Sequence, residues 1–158
     1  MRAKILIIGG AGFIGMNIAK FLVRNRNCEL TLADYNFGRD NSEYFSDLEM
    51  NNITFLKDDF SSMSAFTKLS LDYDQVYMLA SIVGVNNTIE HPEEVIRVNT
   101  SLIINCLEWL KTTKVKKVLF SSTSETYSGT TEILDYVVPT DELIPLCIKD
   151  VTDSRFTY

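Results

Sequence analysis

Residues 9–15 combine several glycines at a spacing that can hold an anion. Their order is Gly9-Gly10-Ala11-Gly12-Phe13-Ile14-Gly15, a G-x-x-G-x-x-G pattern between an apolar run and a helical pattern. A loop poor in side chains lets backbone N–H groups approach a diphosphate, and the helix that follows directs its positive end toward that charge. We call residues 9–15 the glycine loop. This context predicts that it binds the diphosphate of a dinucleotide.

A carboxylate at the end of the second predicted strand fits the same ligand. Asp34 follows the glycine loop by about twenty residues, where an acid accepts hydrogen bonds from the adenosine ribose hydroxyls. Because it would repel a 2′-phosphate, Asp34 favours NAD over NADP, and Arg39 just beyond it could weaken that preference. The alternative is that Asp34 only forms a turn at a strand end.

A third group of candidate residues lies near residue 121, at the end of another predicted strand. The sequence Ser121-Ser122-Thr123-Ser124-Glu125 places hydroxyls and a carboxylate together. Ligands of open α/β sheets bind at the carboxyl ends of strands, so these side chains are candidates for contact with a substrate. The alternatives are that the hydroxyls cap a turn and that Glu125 is an ordinary surface acid.

The elements that must position these residues alternate along the chain. Apolar runs predict five strands: Lys4–Ile8, Cys28–Asp34, Ile53–Leu56, Gln75–Leu79 and Val115–Ser121. Helical patterns predict three helices: Phe13 to about Arg24, a short one capped by Ser61-Ser62 and reaching Leu69, and Pro92 to about Lys111. The buried stripe predicted for the last helix is Val95, Leu102, Ile103, Cys106 and Leu110. Alternation of this kind predicts an α/β fold, a Rossmann-type doubly wound parallel sheet in the order 3-2-1-4-5.

The pattern changes after Gly129. Residues 130–158 contain Pro139 and Pro145 and show no sustained period, so we expect an irregular active-site loop there. The sequence therefore predicts a cofactor-binding domain over residues 1–129 and a loop over residues 130–158.

Composition excludes several classes of function. With a formal charge of −6 and no basic stripe, the chain is a poor candidate for binding nucleic acid or an anionic membrane. No apolar run approaches the roughly 20 residues that a membrane span requires. The three cysteines lack metal-ligand spacing, so we expect no metal site, and reduced thiols favour a cytosolic location.

The motifs, taken in order, resemble the extended short-chain dehydrogenase/reductase family, which includes NAD-dependent epimerases and dehydratases of nucleotide sugars. The resemblance extends over the whole chain. The matching segments are the glycine loop, Asp58-Asp59-Phe60, Leu79-Ala80-Ser81, Val98-Asn99, Ser121 to Tyr127, and Arg155-Phe156-Thr157-Tyr158. One departure is Ser128, which intervenes between Tyr127 and Gly129 where the family has tyrosine followed directly by glycine.

This resemblance implies roles for particular residues. Cofactor contacts are implied for Gly9, Ala11, Gly12, Phe13, Ile14, Gly15, Asp34, Asp59, Phe60, Leu79, Ala80, Ser81 and Asn99. Among these, Asp59 would contact adenine, Leu79-Ala80-Ser81 would line the nicotinamide side, and Asn99 would shape the site. Catalytic roles are implied for Thr123, which would hold the sugar oxygen, for Glu125, which would act on a 4-keto sugar, and for Tyr158, which would transfer the proton.

The combination Thr123-Ser124-Glu125 with a tyrosine is similar to UDP-glucuronate decarboxylases and GDP-mannose 4,6-dehydratases. The resemblance implies an enzyme with a nucleotide-sugar substrate and a homodimer in the intact protein. It also places a catalytic lysine, the last strands and a sugar-nucleotide subdomain beyond Tyr158, so the chain is expected to be an N-terminal part that is inactive alone. Two alternatives are a non-catalytic dinucleotide-binding protein and a short-chain reductase acting on a non-sugar alcohol.

Overall fold

The computed structural model describes residues 2–38 and 50–152. The strands are β1 (Ala3–Ile8), β2 (Cys28–Asp34), β3 (Ile53–Lys57), β4 (Gln75–Met78) and β5 (Lys117–Phe120). The helices are α1 (Phe13–Asn25), α2 (Met63–Phe66), α3 (Val85–Glu90), α4 (Pro92–Leu110) and α5 (Ser128–Ile133), with short 3-10 helices at Met50–Asn52 and Ser124–Tyr127.

The chain divides into two compact units. The described residues of Met1–Ser81 and Val98–Ser121 form the first unit, and those of Ile82–Arg97 and Ser122–Tyr158 form the second. The sequence-based division at residue 129 stays a prediction.

The sheet of the first unit has the order β3-β2-β1-β4-β5, with every neighbouring pair parallel. This confirms the predicted fold class and strand order. The register pairs Ala3 with Cys28 and Ile8 with Ala33, so β1 and β2 end side by side. Because parallel strands bring their carboxyl ends to one edge, the glycine loop after β1 emerges beside Asp34 at the end of β2.

Alternation along β1 divides the core of the first unit into two parts. Ile5 and Ile7 belong to a cluster with apolar residues of α1 and β2. Leu6 and Ile8 belong to a second cluster, with Phe66 and with residues of α4. Because β1 is covered on both faces from Ile5 onward, its residues Ile5–Ile8 form a continuous apolar run, whereas Lys4 lies at the less buried start of the strand.

Helix α4 buries a somewhat different stripe from the one predicted. Val95, Leu102 and Cys106 are buried as expected, but the next buried residue of the helix is Trp109, in the first unit's core. Its ring contacts Phe66 and Tyr73, with ring centroids 5.8 and 6.2 Å apart. Ile103 and Leu110 are only half-buried. Trp109 is about one turn beyond Cys106. Its large ring is buried in the core where the side chain of Leu110 was expected.

Two further predictions need correction. The fifth strand is shorter than Val115–Ser121, and Val118, Leu119 and Phe120 are about half exposed because β5 lies at the edge of the described sheet, where β4 is its one neighbour among the strands of residues 2–38 and 50–152. The short helix after β3 begins as expected after Ser62, but that hydroxyl pairs with Ser64 Oγ at 3.0 Å instead of capping the helix.

The second unit contains α3 and α5, which the sequence analysis did not predict. Ser128 begins α5, and its hydroxyl donates to the Glu125 carbonyl at 2.8 Å. The Thr130 hydroxyl donates to the Pro145 carbonyl at 2.7 Å and accepts from the Cys147 amide at 3.0 Å. These bonds tie α5 to the returning segment, so the serine that departs from the family pattern starts a helix.

No helix in the described part of the chain is long and apolar enough to cross a membrane. Over those residues there is also no group of three or more histidine, cysteine, aspartate or glutamate side chains that could hold a metal ion.

Candidate dinucleotide site

The glycine loop needs glycine at its first position for two reasons. Gly9 has a φ of +88°, a conformation that L residues with side chains rarely adopt. A Cβ at Gly9 would lie 2.5 Å from the Ala80 nitrogen and 2.8 Å from the Leu79 carbonyl carbon. The glycine loop is therefore pressed against the segment after β4 that the sequence predicted for the nicotinamide side.

The other two motif glycines differ in what surrounds them. A Cβ at Gly15 would collide with the carbonyl oxygen of Gly9 and lie 2.9 Å from the Gly10 Cα, so α1 packs directly on the loop. A Cβ at Gly12 would meet only the Gly9 oxygen, at an ordinary 3.4 Å. Gly15 is thus required by the fold itself, whereas the protein leaves room beside Gly12 that a ligand can use.

The amino end of α1 is not neutralised by its own side chains. The N-cap is Gly12, which has no side chain that could accept a hydrogen bond from the first amides of the helix. No acidic residue lies in the first turn. The first bond of the helix runs from the Met16 amide to the Gly12 oxygen at 2.9 Å, so the amides of residues 13–15 precede the helical ladder. Phe13 and Ile14 are 86% and 60% exposed, and their main chains are what this turn can offer an anion. The residues present therefore fit a diphosphate.

Asp34 is joined to the glycine loop by a direct hydrogen bond. Its Oδ2 accepts from the Ala11 amide at 2.9 Å, and its Oδ1 accepts from the Asn36 amide at 3.1 Å. An ionised carboxylate offers about four acceptor positions, so both oxygens keep capacity for ribose hydroxyls. Arg39, expected to modulate this site, lies outside the described residues.

The turn after β3 carries the residue expected to contact adenine. Asp59 is exposed, and its Oδ1 accepts from the Ser61 amide at 2.9 Å. Asp58 accepts from Lys68 at 2.5 Å, and this hydrogen bond and the lysine charge lower the pKa of the Asp58 carboxyl. Phe60 is only 3% exposed and packs edge-to-face on Phe66, with ring centroids 5.2 Å apart. The buried ring of Phe60 thus anchors the turn to the core, while Asp59 is exposed to solvent.

The remaining predicted cofactor contacts belong to the same unit. Leu79 and Ala80 are half-buried against the two core clusters, Ser81 is exposed, and Asn99 is half-buried. The first unit therefore brings together the glycine loop, Asp34 and the start of the Leu79–Ser81 segment. It also contains a residue that the sequence analysis missed, Asn105, whose amide bonds the turn that carries Asp59. The available signal was an asparagine between Leu102 and Trp109 on the inner side of α4.

The predicted catalytic residues lie elsewhere in the chain. Thr123 and Glu125 belong to the second unit, and Tyr158 lies outside the described residues. Thr123 Oγ1 accepts from the Glu125 amide at 3.2 Å, so the hydroxyl caps the 3-10 helix and keeps its own proton for donation. Glu125 is half-buried, and its Oε2 is a buried atom with no hydrogen-bond partner in the part of the chain that the structure describes.

Comparison with known proteins gives a consistent result. The model of the NAD dependent epimerase/dehydratase family matches residues 5–147. The UDP-N-acetyl-alpha-D-glucosaminuronate decarboxylase of Bacillus cytotoxicus is 38% identical over 127 residues, which are 80% of this chain and 38% of that protein. The UDP-glucuronate 4-epimerase of Thermodesulfobacterium geofontis is 30% identical over 130 residues, which are 78% of this chain and 40% of that protein.

A solved structure is similar over nearly the whole fold. The UDP-Glc/GlcNAc 4-epimerase of Campylobacter jejuni superposes with a TM-score of 0.74 at 26% identity, covering 92% of this chain and 43% of that one. The chain thus spans about two fifths of the length of the curated relatives described above, which the matches cover to 38% and 40%.

Proposed function

This chain belongs to the NAD dependent epimerase/dehydratase family, and on that premise we propose that it binds NAD and serves an enzyme that remodels a nucleotide-linked sugar. The observation that carries the proposal is the glycine loop with Asp34. The amides at the start of α1 bond no carbonyl of the described residues, and in the loop before them the Ala11 amide is bonded to the Asp34 carboxylate at 2.9 Å. A diphosphate on those amides and a ribose on Asp34 are neighbouring parts of one dinucleotide.

The cofactor contacts follow from this arrangement. The amides of Phe13, Ile14 and Gly15 would hold the diphosphate, and the carboxylate of Asp34 would accept from the adenosine ribose. Asp59 would accept from the amino group of adenine, which presents N–H donors to an exposed carboxylate. The Leu79–Ser81 segment and Asn99 would shape the nicotinamide side.

The chemistry divides between cofactor and protein. NAD, when bound, supplies the acceptor for a hydride from the sugar carbon that bears the reacting hydroxyl. Thr123 would donate its hydroxyl proton in a hydrogen bond to that oxygen, and Tyr158 would accept the proton that the hydroxyl loses. Glu125 would act as acid or base on the resulting 4-keto sugar, because its Oε2 is buried and without a partner among the described residues. A buried carboxylate oxygen that no protein donor satisfies is suited to a ligand proton.

The substrate class that the relatives support best is a UDP-linked uronic acid. Two relatives carry UDP-glucuronate or a UDP-N-acetylglucosaminuronate in their names, one as an epimerase and one as a decarboxylase. Thr123-Ser124-Glu125, which is similar to decarboxylases and dehydratases alike, favours further chemistry on the 4-keto sugar over simple 4-epimerisation. These relatives do not favour a non-catalytic sensor or a reductase of non-sugar alcohols.

The test is an assay of the intact protein with NAD and three candidates: UDP-glucuronate, UDP-N-acetylglucosaminuronate and UDP-glucose. Proton NMR of the sugar distinguishes loss of the carboxyl carbon from inversion at C4, and Glu125→Gln serves as the matched variant. We expect a UDP-uronate to react, and Glu125→Gln to slow the reaction by about 100-fold or more, as loss of a general acid–base group does. Reaction with none of the three sugars, by a protein that binds NAD, would contradict the proposed substrate class.

A homodimer and a cytosolic location are further parts of the proposal. Ile104 and Leu107 lie one turn apart on α4 and are 53% and 54% exposed, which suits an isologous helix contact. Light scattering should give a dimer that Leu107→Lys dissociates. A monomer at micromolar concentration would contradict this part, and fractionation of the source cells tests the location.

A further inference from the structure

Asn105 connects helix α4 to the turn that follows β3. Its Nδ2 donates to the Ser61 carbonyl oxygen at 2.8 Å, and the side chain is part-buried. On either side of it along α4, Leu102 and Trp109 are buried in the core, so the helix cannot easily rotate away. An amide inside a helix usually weakens it, and this one is compensated by a carbonyl 44 residues away in sequence.

The Ser61 carbonyl belongs to a tightly bonded turn. The amide of Ser61 donates to Asp59 Oδ1 at 2.9 Å, and the amide of Ser62 donates to the Asp59 carbonyl at 3.0 Å. The amide of Asp59 in turn donates to Asp58 Oδ1 at 2.9 Å. Ser61 therefore carries a bond to the Asp59 carboxylate on its amide and a bond to Asn105 on its carbonyl.

The turn is fixed on two further sides. Lys68, just after α2, holds Asp58 at 2.5 Å, and the ring of Phe60 is buried against Phe66. Among residues 2–38 and 50–152, the Ser61 amide is the only donor that Asp59 Oδ1 receives, and no donor reaches Asp59 Oδ2. The orientation of the exposed carboxylate thus depends on how the Ser61 peptide is held, and Asn105 holds the carbonyl next along the chain.

We propose that Asn105 is a positioning residue for adenine recognition, acting through Ser61 to keep Asp59 Oδ2 presented to the ligand. The proposal rests on the proposed function, because it requires that Asp59 accepts from the amino group of adenine. It adds a specificity determinant that lies on α4 and does not touch the ligand itself. Its consequence is that Asn105 controls the preference for a 6-amino purine over a 6-oxo purine.

The experiment compares NAD with nicotinamide hypoxanthine dinucleotide, in which the purine carries a 6-oxo group. Competition between the two ligands in one sample of intact protein gives the ratio of their Kd values whatever fraction of a variant is folded. For the natural protein we expect NAD to be preferred by about tenfold or more, the value of one hydrogen bond to a charged acceptor. Asp59→Ala should abolish the preference.

The variants at Asn105 distinguish positioning from general stability. Asn105→Asp keeps the shape but puts an acceptor opposite the Ser61 oxygen, and Asn105→Ala removes the group. Each should reduce the preference for NAD by about threefold or more. Asn25→Ala is the matched control, because Asn25 Nδ2 also donates to a backbone carbonyl, that of Phe21 at 2.9 Å, and the preference should stay unchanged.

Two results would overturn the proposal in distinguishable ways. If both Asn105 variants lose affinity for the two dinucleotides equally, the ratio stays constant and Asn105 is only a structural residue, while the proposed function stands. If the natural protein binds neither dinucleotide, the proposed function fails and this inference fails with it.

Discussion

The backbone amide of Ala11 donates to Asp34 Oδ2 at 2.9 Å, a hydrogen bond that joins the glycine loop after β1 to the end of β2. The register of the two strands makes this contact possible: Ile8 pairs with Ala33, so the glycine loop that follows Ile8 begins beside Asp34, which follows Ala33. One carboxylate can therefore hold the loop and accept from a ribose at the same time.

Asp34→Asn tests this double use. The substitution keeps an oxygen that can accept from Ala11 but removes the negative charge and introduces two N–H donors. We expect affinity for NAD to fall by about ten- to 100-fold, since hydrogen bonds to charged groups contribute about 1.5–3 kcal/mol. Affinity for NADP should fall less, because its 2′-phosphate is no longer repelled. Titration calorimetry with both cofactors measures the change, and an unchanged NAD-to-NADP ratio would contradict the role of Asp34.

Gly15→Ala tests the packing of α1 on the glycine loop. The added Cβ would collide with the carbonyl oxygen of Gly9. This oxygen belongs to the backbone, so it cannot move aside as the end of a flexible side chain can. Overpacking of this kind costs about 1–3 kcal/mol, which urea unfolding measures. Gly38→Ala is the control, because its Cβ would meet nothing within 4 Å, and its stability should change by less than about 0.5 kcal/mol. Equal stability of the two variants would be the contrary result.

Much of this architecture could be predicted because it depends on local patterns. The apolar run of β1, the glycine loop and the alternation of elements each carry a period or a motif, and together they gave the strand order. The burial of Trp109 was missed because it depends on contacts with the rings of Phe66 and Tyr73, which are distant in the sequence. Asn105 could not be assigned, because its role depends on a carbonyl that only the fold brings near.

The errors at β5 and at the short helices have the same origin. Val118, Leu119 and Phe120 have the composition of a buried strand, yet their exposure is set by the position of β5 at the sheet edge. Helices α3 and α5 have six residues each, too few for an apolar period to be read from the sequence.

The cysteines should differ in reactivity. Cys28 and Cys106 are buried, and burial raises the pKa of both thiols, that of Cys106 to about 11. At pH 8 only about one Cys106 thiol in a thousand is then ionised, whereas Cys147 is half-buried and more accessible. We expect iodoacetamide to label Cys147 first, as mass spectrometry of peptides would record. Labelling of Cys106 at the rate of Cys147 would argue against this core.

An ion pair at the amino ends of the strands, between Lys116 and Asp74, should make the free energy of unfolding depend on pH. The ammonium of Lys116 lies 2.7 Å from Asp74 Oδ1 and, with the backbone amide of Lys4, lowers the pKa of the Asp74 carboxyl. A lowered carboxyl pKa stabilises the folded state above the unfolded pKa of about 3.9, and the contribution is lost as pH falls through the folded pKa.

Lys116→Met should therefore lower the free energy of unfolding at neutral pH and bring acid unfolding to a higher pH, and its difference from the natural protein should disappear once pH falls below the folded pKa of Asp74, where that carboxyl is protonated in both states. Circular dichroism along a pH titration follows the transition. Lys114→Met is the control, because Lys114 forms no ion pair with any residue the structure describes. A shift as large for Lys114→Met as for Lys116→Met would rule out the Asp74 pair as the cause.

The central claim is that the glycine loop leaves its amides bare for the diphosphate of NAD, and Gly12→Ala tests it most directly. The protein tolerates this Cβ, which would meet only the Gly9 oxygen at 3.4 Å, so the cost in stability should stay under about 1 kcal/mol. Calorimetric titration should show that the natural protein binds NAD and that the folded Gly12→Ala variant binds it at least about tenfold more weakly. Equal affinity of the two proteins for NAD, or no binding by the natural protein, would contradict the account.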